Sequence, residues 1–364
     1  MSPLVGLLPE GIRSAFFPGD NLLQLEREIE GILEENFYQP VDRSTLENGA
    51  LEGMVGSLND QYTAYLPPDE YQRFRDHASG TFVGVGVVME PKAEKLTVVS
   101  TVENSPASAA GIESGDVIVT VDGEPVGSQT PEEAAARIRG EEGTTVVLGI
   151  RRGESDIEFS LVRREIEVPI VMDRMIEHNG RKIGYVRLEQ FSTDVGVKAK
   201  GSVDRLVSEG AEGIVFDLRD NGGGILDEAV NVASVFIQNG TIVSVVGKDE
   251  NRSEYPARGD TNESITLVVL INGYSASASE IVAGAIKDEN RGQLVGEKTF
   301  GKGVVQMIFP LTNDGAIKFT SGVYYTPDGI NINEVGIEPD IPVAANNTKD
   351  ADEVLERGLS VLAP

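Results

Sequence analysis

A serine at the start of a predicted helix is the first candidate for chemistry. Ser277 belongs to the segment Asn272-Gly-Tyr-Ser-Ala-Ser-Ala-Ser-Glu280, which follows a strongly apolar run. A sharp turn from a buried strand into a helix can hold a side-chain oxygen beside backbone N–H groups, which suits a nucleophile. The spacing of Ser277 and Glu280 also matches a capping box, in which both side chains only bond helix N–H groups. The segment alone leaves both interpretations open.

A lysine and a glutamine further along the chain could supply the base. Lys302 and Gln306 lie four positions apart where a strand begins, and even spacing places both on one face. A lysine acts as a base only if desolvation lowers its pKa, and a glutamine oxygen can orient the amine without adding charge. The alternative is a solvated surface lysine between two flexible glycines.

A glycine-rich loop could stabilise negative charge. The segment Phe216-Asp-Leu-Arg-Asp-Asn-Gly-Gly-Gly-Ile-Leu226 runs from a predicted strand to a predicted helix. Backbone N–H groups at such a helix start could bind an oxyanion. The same glycines could instead serve only tight packing between strand and helix.

Two other chemistries are disfavoured. Gly296-x-x-x-x-Gly-Lys-Gly303 nearly matches a phosphate-binding loop, but Gly303 stands where a serine or threonine would hold magnesium. A Val-Val strand also follows where that loop requires a helix. The two histidines, His77 and His178, have no motif around them, which argues against a Ser-His-Asp triad and against a histidine metal site.

Composition limits the class of partner. The formal net charge of the 364 residues is -28, a field that repels nucleic-acid phosphates and anionic lipids. The longest apolar runs are too short for a transmembrane helix, and residues 1–17 do not read as an intact signal peptide. Without cysteine there is no disulfide framework and no thiolate chemistry, so the compartment stays open at this level.

The predicted elements that must position these residues fall into three regions with different hydrophobic patterns. Apolar residues recur at helical spacing from 21 to about 78, with a last helix after Pro67 and Pro68. Short Val- and Ile-rich strands fill 81–168, with a helix at 131–139. From Arg181 onward strands and helices alternate, which predicts an α/β core. Residues 350–362 read as a short helix or a frayed tail.

The region 81–168 resembles a PDZ-like module through Ser105-Pro-Ala-Ser-Ala-Ala-Gly111 and the stretch 115–123. The resemblance implies binding of an extended peptide by strand addition, with its carboxylate held by backbone N–H groups of a glycine-rich loop. The peptide-binding candidates are Phe82, Val83, Gly84, Val85 and Gly86. Alternatively, the glycines only relieve a strand bulge.

The string Ser275-Ala-Ser-Ala-Ser-Glu-Ile281, followed by Phe-Gly-Lys302-Gly and Gln306, resembles the carboxyl-terminal processing, or tail-specific, serine proteases. The resemblance spans nearly the whole chain. It implies Ser277 as nucleophile, Lys302 as general base and Gln306 as the residue that orients the lysine. It also implies oxyanion donors at Gly223, with Gly222 less favoured, and at Ala278. Tyr274 departs from the family, in which many members carry glycine.

The resemblance further implies a fold and a division of the chain. The fold is an α/β protease core of crotonase/Clp-protease-like type, with mixed strands and helices, an inserted β-rich PDZ-like domain and an N-terminal helical region. The expected boundaries are 1–79 for the helical region, 80–167 for the PDZ-like domain, 168–345 for the protease core and 346–364 for a C-terminal helix or tail.

These features together predict an endopeptidase with a Ser-Lys dyad that cleaves proteins near the carboxyl terminus, without a cofactor. The PDZ-like domain would capture the substrate terminus and gate the site, with Arg139 as a regulatory residue or simply a solvated arginine. Expected partners are proteins with accessible carboxyl termini, a second copy of the chain and a regulatory adaptor protein, but not nucleic acid. The family implies an extracytoplasmic location, with a membrane anchor in the full-length protein. The alternative is a non-catalytic peptide-binding scaffold.

Overall fold

The computed structural model describes residues 20–89, 95–127, 130–167, 169–259, 261–262, 264–344 and 352–364. Its helices are α1 Asp20–Asn36, α2 Arg43–Gly56, α3 Pro68–Ser79, α4 Pro106–Ala110, α5 Pro131–Ile138, α6 Val195–Ser208, α7 Leu226–Ser234, α8 Ala278–Asp288 and α9 Glu353–Leu362. Within these residues, no helix is long and apolar enough to cross a bilayer.

The strands are β1 Ala64–Leu66, β2 Thr81–Gly84, β3 Val87–Met89, β4 Val98–Thr101, β5 Val117–Val121, β6 Glu124–Pro125, β7 Thr145–Arg152, β8 Ser155–Val162, β9 Arg164–Glu167, β10 Val171–His178, β11 Arg181–Leu188, β12 Gly213–Asp217, β13 Thr241–Gly247, β14 Arg252–Pro256, β15 Thr266–Ile271, β16 Gln293–Gly296, β17 Val304–Pro310, β18 Ala316–Tyr325 and β19 Ile341–Pro342. The chain divides into two compact units, 1–71 with 306–320 and 72–305 with 321–364.

The first unit contains the N-terminal helices and a short antiparallel pairing. β1 pairs with residues 316–318 of β18. Tyr65 of β1 is buried, and its hydroxyl accepts a hydrogen bond of 2.7 Å from Asn313 Nδ2. The expected helical region therefore contains a strand that helical spacing did not reveal. α3, by contrast, begins and ends where the two prolines and the Ser79-Gly80 pair predict.

The PDZ-like part of the second unit is built on a four-stranded sheet of order β6-β5-β7-β8. Val121, Val146, Leu148 and Ile150 are fully buried in its core. The helix expected at 131–139 is α5. The run from residue 82 to 88 belongs to two strands, because Gly86, with a φ of 79°, turns the chain between β2 and β3.

The α/β part contains a six-stranded sheet of order β10-β11-β12-β15-β16-β19. β10 and β11 form an antiparallel hairpin, whereas β11, β12, β15, β16 and β19 are parallel. Parallel strands covered on both faces read as continuous apolar runs. Val268, Val269, Leu270 and Ile271 of β15 are all fully buried, as that rule requires.

Alternating side chains of this sheet supply two cores. On β12, Ile214 and Phe216 pack into the larger core together with side chains of α6, α7 and α8. Val215, between them, faces the opposite core, which contains Leu355 and Leu359 of α9. The C-terminal helix expected from the sequence thus packs against its own sheet.

The order of parallel strands brings the candidate segments to one edge. Asp217, at the end of β12, is paired with Leu270 of β15, and Ile271 is paired with Gly296 at the end of β16. The loops that follow these strands carry the glycine-rich segment, Ser277 and Lys302. Carboxyl ends of parallel strands are where sites of α/β folds form.

A buried ion pair ties the PDZ-like part together. Asp116 is buried, and its carboxylate accepts two hydrogen bonds of 2.7 Å from Arg152 and one of 2.9 Å from the Glu113 N–H. Arg152 also donates to the Gly111 carbonyl at 2.7 Å. The hydrogen bonds from Arg152 hold the pKa of Asp116 below its usual value of 3.8.

We predict that Asp116→Asn lowers the free energy of unfolding at pH 7 by about 1–3 kcal/mol, because buried hydrogen bonds to a charged donor are weakened. Since the pKa of Asp116 is lower in the folded state, its contribution is complete above pH 3.8 and is lost as the pH falls through the folded value. Urea unfolding of both proteins from pH 7 to pH 2 should show the difference shrinking below pH 3.8. Asp156→Asn, in the exposed pair with Arg151, is the control and should have little effect. Equal stability of Asp116→Asn and wild type at pH 7 would contradict the prediction.

Candidate active site

The three serines of the turn before α8 have different environments. Ser275 and Ser279 are fully buried, and their hydroxyls donate to the carbonyls of Leu218 and Asn221, each at 2.8 Å. Ser277, between them, is half-buried. The outer serines therefore fix the turn to the glycine-rich loop, and Ser277 is the one whose side chain remains accessible to a substrate.

The backbone at Ser277 is strained. Its φ of 55° and ψ of -113° lie in a region that residues with a side chain rarely adopt. Such strain persists only where the surroundings over-determine the conformation, and it is concentrated at active sites. The sharp strand-to-helix turn expected for a nucleophile is the turn that the chain makes here.

The Glu280 carboxylate joins the serine turn to the lysine loop. It is fully buried and accepts hydrogen bonds at Oε2 from the N–H groups of Ser277 and Lys302, both at 2.8 Å. At Oε1 it accepts from the Gly301 N–H at 2.7 Å and the Thr299 hydroxyl at 2.6 Å. A buried carboxylate is stable only when its oxygens are this well bonded. The Ser277–Glu280 spacing that suggested a capping box thus also links the two candidate catalytic residues.

The loop that carries Lys302 is held on both sides. Gly301 has a φ of 91° and its carbonyl accepts from the Glu334 N–H at 2.7 Å. A Cβ at Gly303 would lie 2.3 Å from the Asn333 backbone nitrogen, so only glycine fits. The Tyr324 hydroxyl donates to the Lys302 carbonyl. The glycines beside Lys302 are therefore packed, not flexible, and the lysine itself is half-buried.

Gln306 lies on β17, which begins at Val304 directly after the lysine loop. Its side chain is half-buried. Lys302 lies two residues before this strand, so the alternation of strand side chains does not place it on one face with Gln306, and their pairing stays a prediction.

The glycine-rich loop contacts the serine turn directly. Gly223 has a φ of 102°, and a Cβ there would lie 2.8 Å from the Ser277 Cβ and 3.0 Å from the Ala278 nitrogen. Ala278 is the first residue of α8, where N–H groups have no partner within the helix. Both predicted oxyanion donors thus lie beside Ser277.

Asn221 determines the hydrogen bonding of this loop. It is fully buried, its Oδ1 accepts from the Gly223 N–H at 2.9 Å and its amide donates to the Leu188 carbonyl at 2.9 Å. Its carbonyl also accepts from the Ala276 N–H at 3.0 Å. The Gly223 N–H is engaged by Asn221 here, so a bond from it to an oxyanion must share or replace this contact.

A buried charge network supports the same loop from the other side. Asp217 is fully buried and accepts hydrogen bonds from Arg219 Nη2 at 2.6 Å and from the Tyr185 hydroxyl at 2.8 Å. Burial and the Asp217 charge raise the pKa of Tyr185 to about 12. Arg219 also binds both oxygens of Asp352, at 2.7 and 2.8 Å, so the start of α9 is tied to the end of β12.

Most of the residues predicted to bind peptide line a separate, narrow cavity of about 70 Å³, which we call the PDZ-like groove. Its lining includes Phe82, Gly84, Val85 and Gly86, whereas Val83 is not part of it. Arg139 also lines the cavity, and its guanidinium lies 5.6 Å from the centre of the Phe82 ring. Arg139 is therefore a residue of the groove and not only a solvated helix end.

The structure brings Ser277, Ala278, Gly223 and the Lys302 loop together and leaves the PDZ-like groove as a distinct place. Two buried residues of the site, Asn221 and Asp217, were missed as site residues, although each has one partner two residues away in Gly223 and Arg219 and one distant partner in Leu188 and Tyr185. Their position between a buried strand and three glycines was the signal that could have indicated them. Among the described residues, no cluster of acidic or histidine side chains could hold a metal ion.

Three family models match the chain. Residues 182–343 match peptidase family S41, and residues 97–152 match the PDZ domain. Residues 20–69 match the N-terminal domain of the activating protease CtpB. The first match contains every candidate of the dyad and of the oxyanion site.

Curated relatives carry names of the same kind. The chain is 39% identical over 312 residues to a carboxy-terminal-processing protease of Bartonella bacilliformis, covering 84% of the chain and 70% of the relative. It is 39% identical over 295 residues to a carboxyl-terminal-processing protease of Picosynechococcus, covering 80% and 71%. It is 35% identical over 317 residues to a probable CtpA-like serine protease of Staphylococcus haemolyticus, covering 86% and 63%. The chain thus spans about two thirds of the length of these relatives.

Two solved structures share the fold over 92% and 90% of the chain. The photosystem II D1 C-terminal processing protease is 30% identical, with a TM-score of 0.54 over 92% of this chain and 89% of that one. An S41 protease structure from Bacteroides fragilis has a TM-score of 0.55 at 17% identity, covering 90% and 91%, and supports the fold alone. From these relatives and its own S41 and PDZ regions, the chain belongs to the carboxyl-terminal-processing serine proteases of peptidase family S41.

Proposed function

We propose that this chain is a serine endopeptidase that cleaves protein substrates near the carboxyl terminus with a Ser277–Lys302 dyad. The observation that carries the proposal is the Glu280 carboxylate, whose Oε2 accepts from the N–H groups of both residues. A merely structural cap would not need to hold the lysine loop as well. The strained backbone of Ser277 supports the same role.

The proposed reaction proceeds by acyl transfer. The neutral Lys302 amine takes the proton of the Ser277 hydroxyl as its oxygen attacks the substrate carbonyl, forming a tetrahedral oxyanion. The ammonium then gives its proton to the leaving amine, and an acyl-enzyme remains. Water, deprotonated by Lys302, attacks the ester and releases the new carboxyl terminus with Ser277 restored. No cofactor takes part in this scheme.

The proposed oxyanion donors are the N–H groups of Ala278 and Gly223. Because the Gly223 N–H binds Asn221 Oδ1 at 2.9 Å, we infer that it bifurcates or leaves Asn221 when charge develops on the substrate oxygen. Gln306 would orient the Lys302 amine through its carbonyl oxygen, which adds no charge that would favour the ammonium form.

The PDZ-like groove is proposed to bind the carboxyl terminus of the substrate and to gate cleavage. The narrow cavity beside Gly84, Val85 and Gly86 supports this role. The end of α3, directly before the PDZ-like part, contacts the segment beside the site, because Gln190 donates to the His77 carbonyl and the neighbouring Phe191 N–H donates to the Gly223 carbonyl at 3.0 Å. We propose that gating acts on the glycine-rich loop through this segment.

We also propose that the chain divides into a helical region at 1–79, a PDZ-like domain at 80–167, a protease core at 168–345 and a C-terminal helix or tail at 346–364.

A self-associating N-terminal region is also proposed. In the first unit, α2 has no buried residue among those described. Apolar side chains of α1 and α2, such as Leu25, Ile29, Ile32 and Met54, are exposed, and so is Leu58, two residues after α2. Exposed apolar surface of this kind is typical of interfaces. From this surface we infer that the chain forms a homo-oligomer. Family membership alone suggests that the full-length protein is extracytoplasmic and membrane-anchored, and that it binds a regulatory adaptor protein.

The rival function is a peptide-binding scaffold without catalysis. The PDZ-like groove alone would be sufficient for such a scaffold to bind peptides. The Glu280 bridge and the strain at Ser277 favour the enzyme, because a scaffold has no use for either.

We predict that wild-type protein cleaves unstructured casein and that Ser277→Ala and Lys302→Ala do not. Loss of the base alone should lower the rate about 100-fold or more, because the serine is no longer deprotonated. Cleavage is followed by gel electrophoresis at matched protein concentration, with circular dichroism to verify folding. Activity of folded Ser277→Ala would show that the nucleophile is another residue, and equal inactivity of all three proteins would favour the scaffold.

We predict that a free peptide with an apolar carboxyl terminus stimulates cleavage of a second substrate, and that its amidated form does so about tenfold less, because hydrogen bonds to a charged carboxylate are lost. Arg139→Ala should reduce the stimulation, since Arg139 lines the groove beside Phe82. The measurement is turnover against peptide concentration, with Arg151→Ala in the exposed Asp156 pair as control. Unchanged stimulation in Arg139→Ala would exclude a regulatory role for this residue.

For the oligomer, sedimentation velocity of the wild type should give a mass above that of one chain. The double variant Ile29→Glu and Ile32→Glu should sediment as a single chain, because two charges are placed on the exposed apolar surface. A wild-type monomer at micromolar concentration would exclude self-association by these helices.

A further inference from the structure

Apolar side chains are exposed on the segments that carry the candidate dyad. Tyr274 is 72% exposed and lies three residues before Ser277, and Phe300 is 59% exposed and lies two residues before Lys302. Val335, on the segment packed against the lysine loop, is 52% exposed. We call these three residues the apolar rim.

The backbone under the rim is one connected frame. The Phe300 N–H donates to the Ser275 carbonyl at 3.1 Å. Because Ser275 directly follows Tyr274, the backbones of Phe300 and Tyr274 lie close together. A Cβ at Gly301 would lie 3.2 Å from the Val335 nitrogen, which places Val335 against the same loop. The Thr299 N–H donates to the Ile337 carbonyl at 3.1 Å. The backbone positions that carry the rim side chains are therefore fixed relative to one another and to the serine turn.

The turn beneath Tyr274 is also rigid. Asn272 Oδ1 accepts from the N–H groups of Tyr274 and Asp220, at 3.1 and 3.0 Å, and Asn272 Nδ2 donates to Asp220 Oδ1 at 2.8 Å. An aromatic ring held on such a turn loses little conformational entropy when it binds a partner.

Single exposed apolar residues are common on protein surfaces and need no explanation. Three of them on hydrogen-bonded segments beside a nucleophile are different, because binding sites combine apolar surface with a few fixed polar groups. The two candidate catalytic residues are those polar groups. Tyr274 and Phe300 of the rim lie on the same backbone segments as Ser277 and Lys302. We therefore expect the molecule that reaches Ser277 to cover the rim as well.

We propose that Tyr274, Phe300 and Val335 form a subsite that binds an apolar side chain of the substrate, a few residues from the scissile bond. The proposal rests on the peptidase function above and adds the determinant of sequence preference around the cut. The PDZ-like groove would select substrates by their carboxyl terminus. The rim would determine which peptide bond is cleaved, by binding an apolar side chain near that bond.

The test uses a series of internally quenched peptides with one carboxyl terminus, in which leucine or asparagine is scanned through the positions flanking the cleaved bond. For wild type we expect the leucine peptide to have a kcat/KM about tenfold or more above its asparagine partner at one position. In Tyr274→Ser and Phe300→Ser this ratio should fall toward one. Val197→Ser, another exposed apolar residue on α6, is the matched control and should keep the wild-type ratio.

The outcomes separate this proposal from the peptidase function. If wild type cleaves, Ser277→Ala does not, and the rim variants keep the wild-type ratio, the subsite is wrong and the peptidase function stands. If Ser277→Ala cleaves the peptides, or wild type cleaves none, the proposed function fails and the subsite with it. A change of sedimentation in the rim variants with an unaltered ratio would assign the rim to contact between copies and overturn the subsite.

Discussion

The arrangement of the candidate site depends on one buried carboxylate. Glu280 lies in the first turn of α8 and uses both oxygens to hold Ser277, Thr299, Gly301 and Lys302. Removing a charged group from water is costly, so Glu280 is stable only while all these donors surround it. The requirement works in both directions, because the donors of the lysine loop are fixed to the serine turn by the same bonds. The proposed nucleophile and the proposed base are thereby held by a residue that takes no part in the proposed chemistry.

The sheet explains why these loops meet at all. β12, β15 and β16 are adjacent and parallel, so the segments after Asp217, Ile271 and Gly296 leave the same edge. Asn221 then binds the serine turn to the glycine-rich loop, and Arg219 binds that loop to α9. These contacts join segments that are far apart in sequence. The string Ser275-Ala-Ser-Ala-Ser-Glu280 is thus part of a larger buried network, in which Ser275, Ser279 and Glu280 are fully buried.

The sequence was informative where local pattern decides structure. The α/β alternation predicted β11, α6, β12, α7, β15 and α8, and the strand-to-helix turn indicated Ser277. It was less informative where distant partners decide. Nothing near Asn221 indicates that its amide donates to the Leu188 carbonyl, and the downstream donors to Glu280 are too far along the chain for a capping pattern to reveal. The short β1 was missed for the same reason, since its partner is β18, whereas the break between β2 and β3 follows from the local turn at Gly86.

The measurement that tests the central claim most directly is the rate at which a fluorophosphonate modifies the protein, with the modified residue located by mass spectrometry. An activated serine reacts with such a probe without any substrate. We predict modification at Ser277 in wild type, and modification slowed about tenfold or more in folded Lys302→Ala and Glu280→Gln, because the base is lost or displaced. Modification of a different residue, or an equal rate in all three proteins, would contradict this prediction.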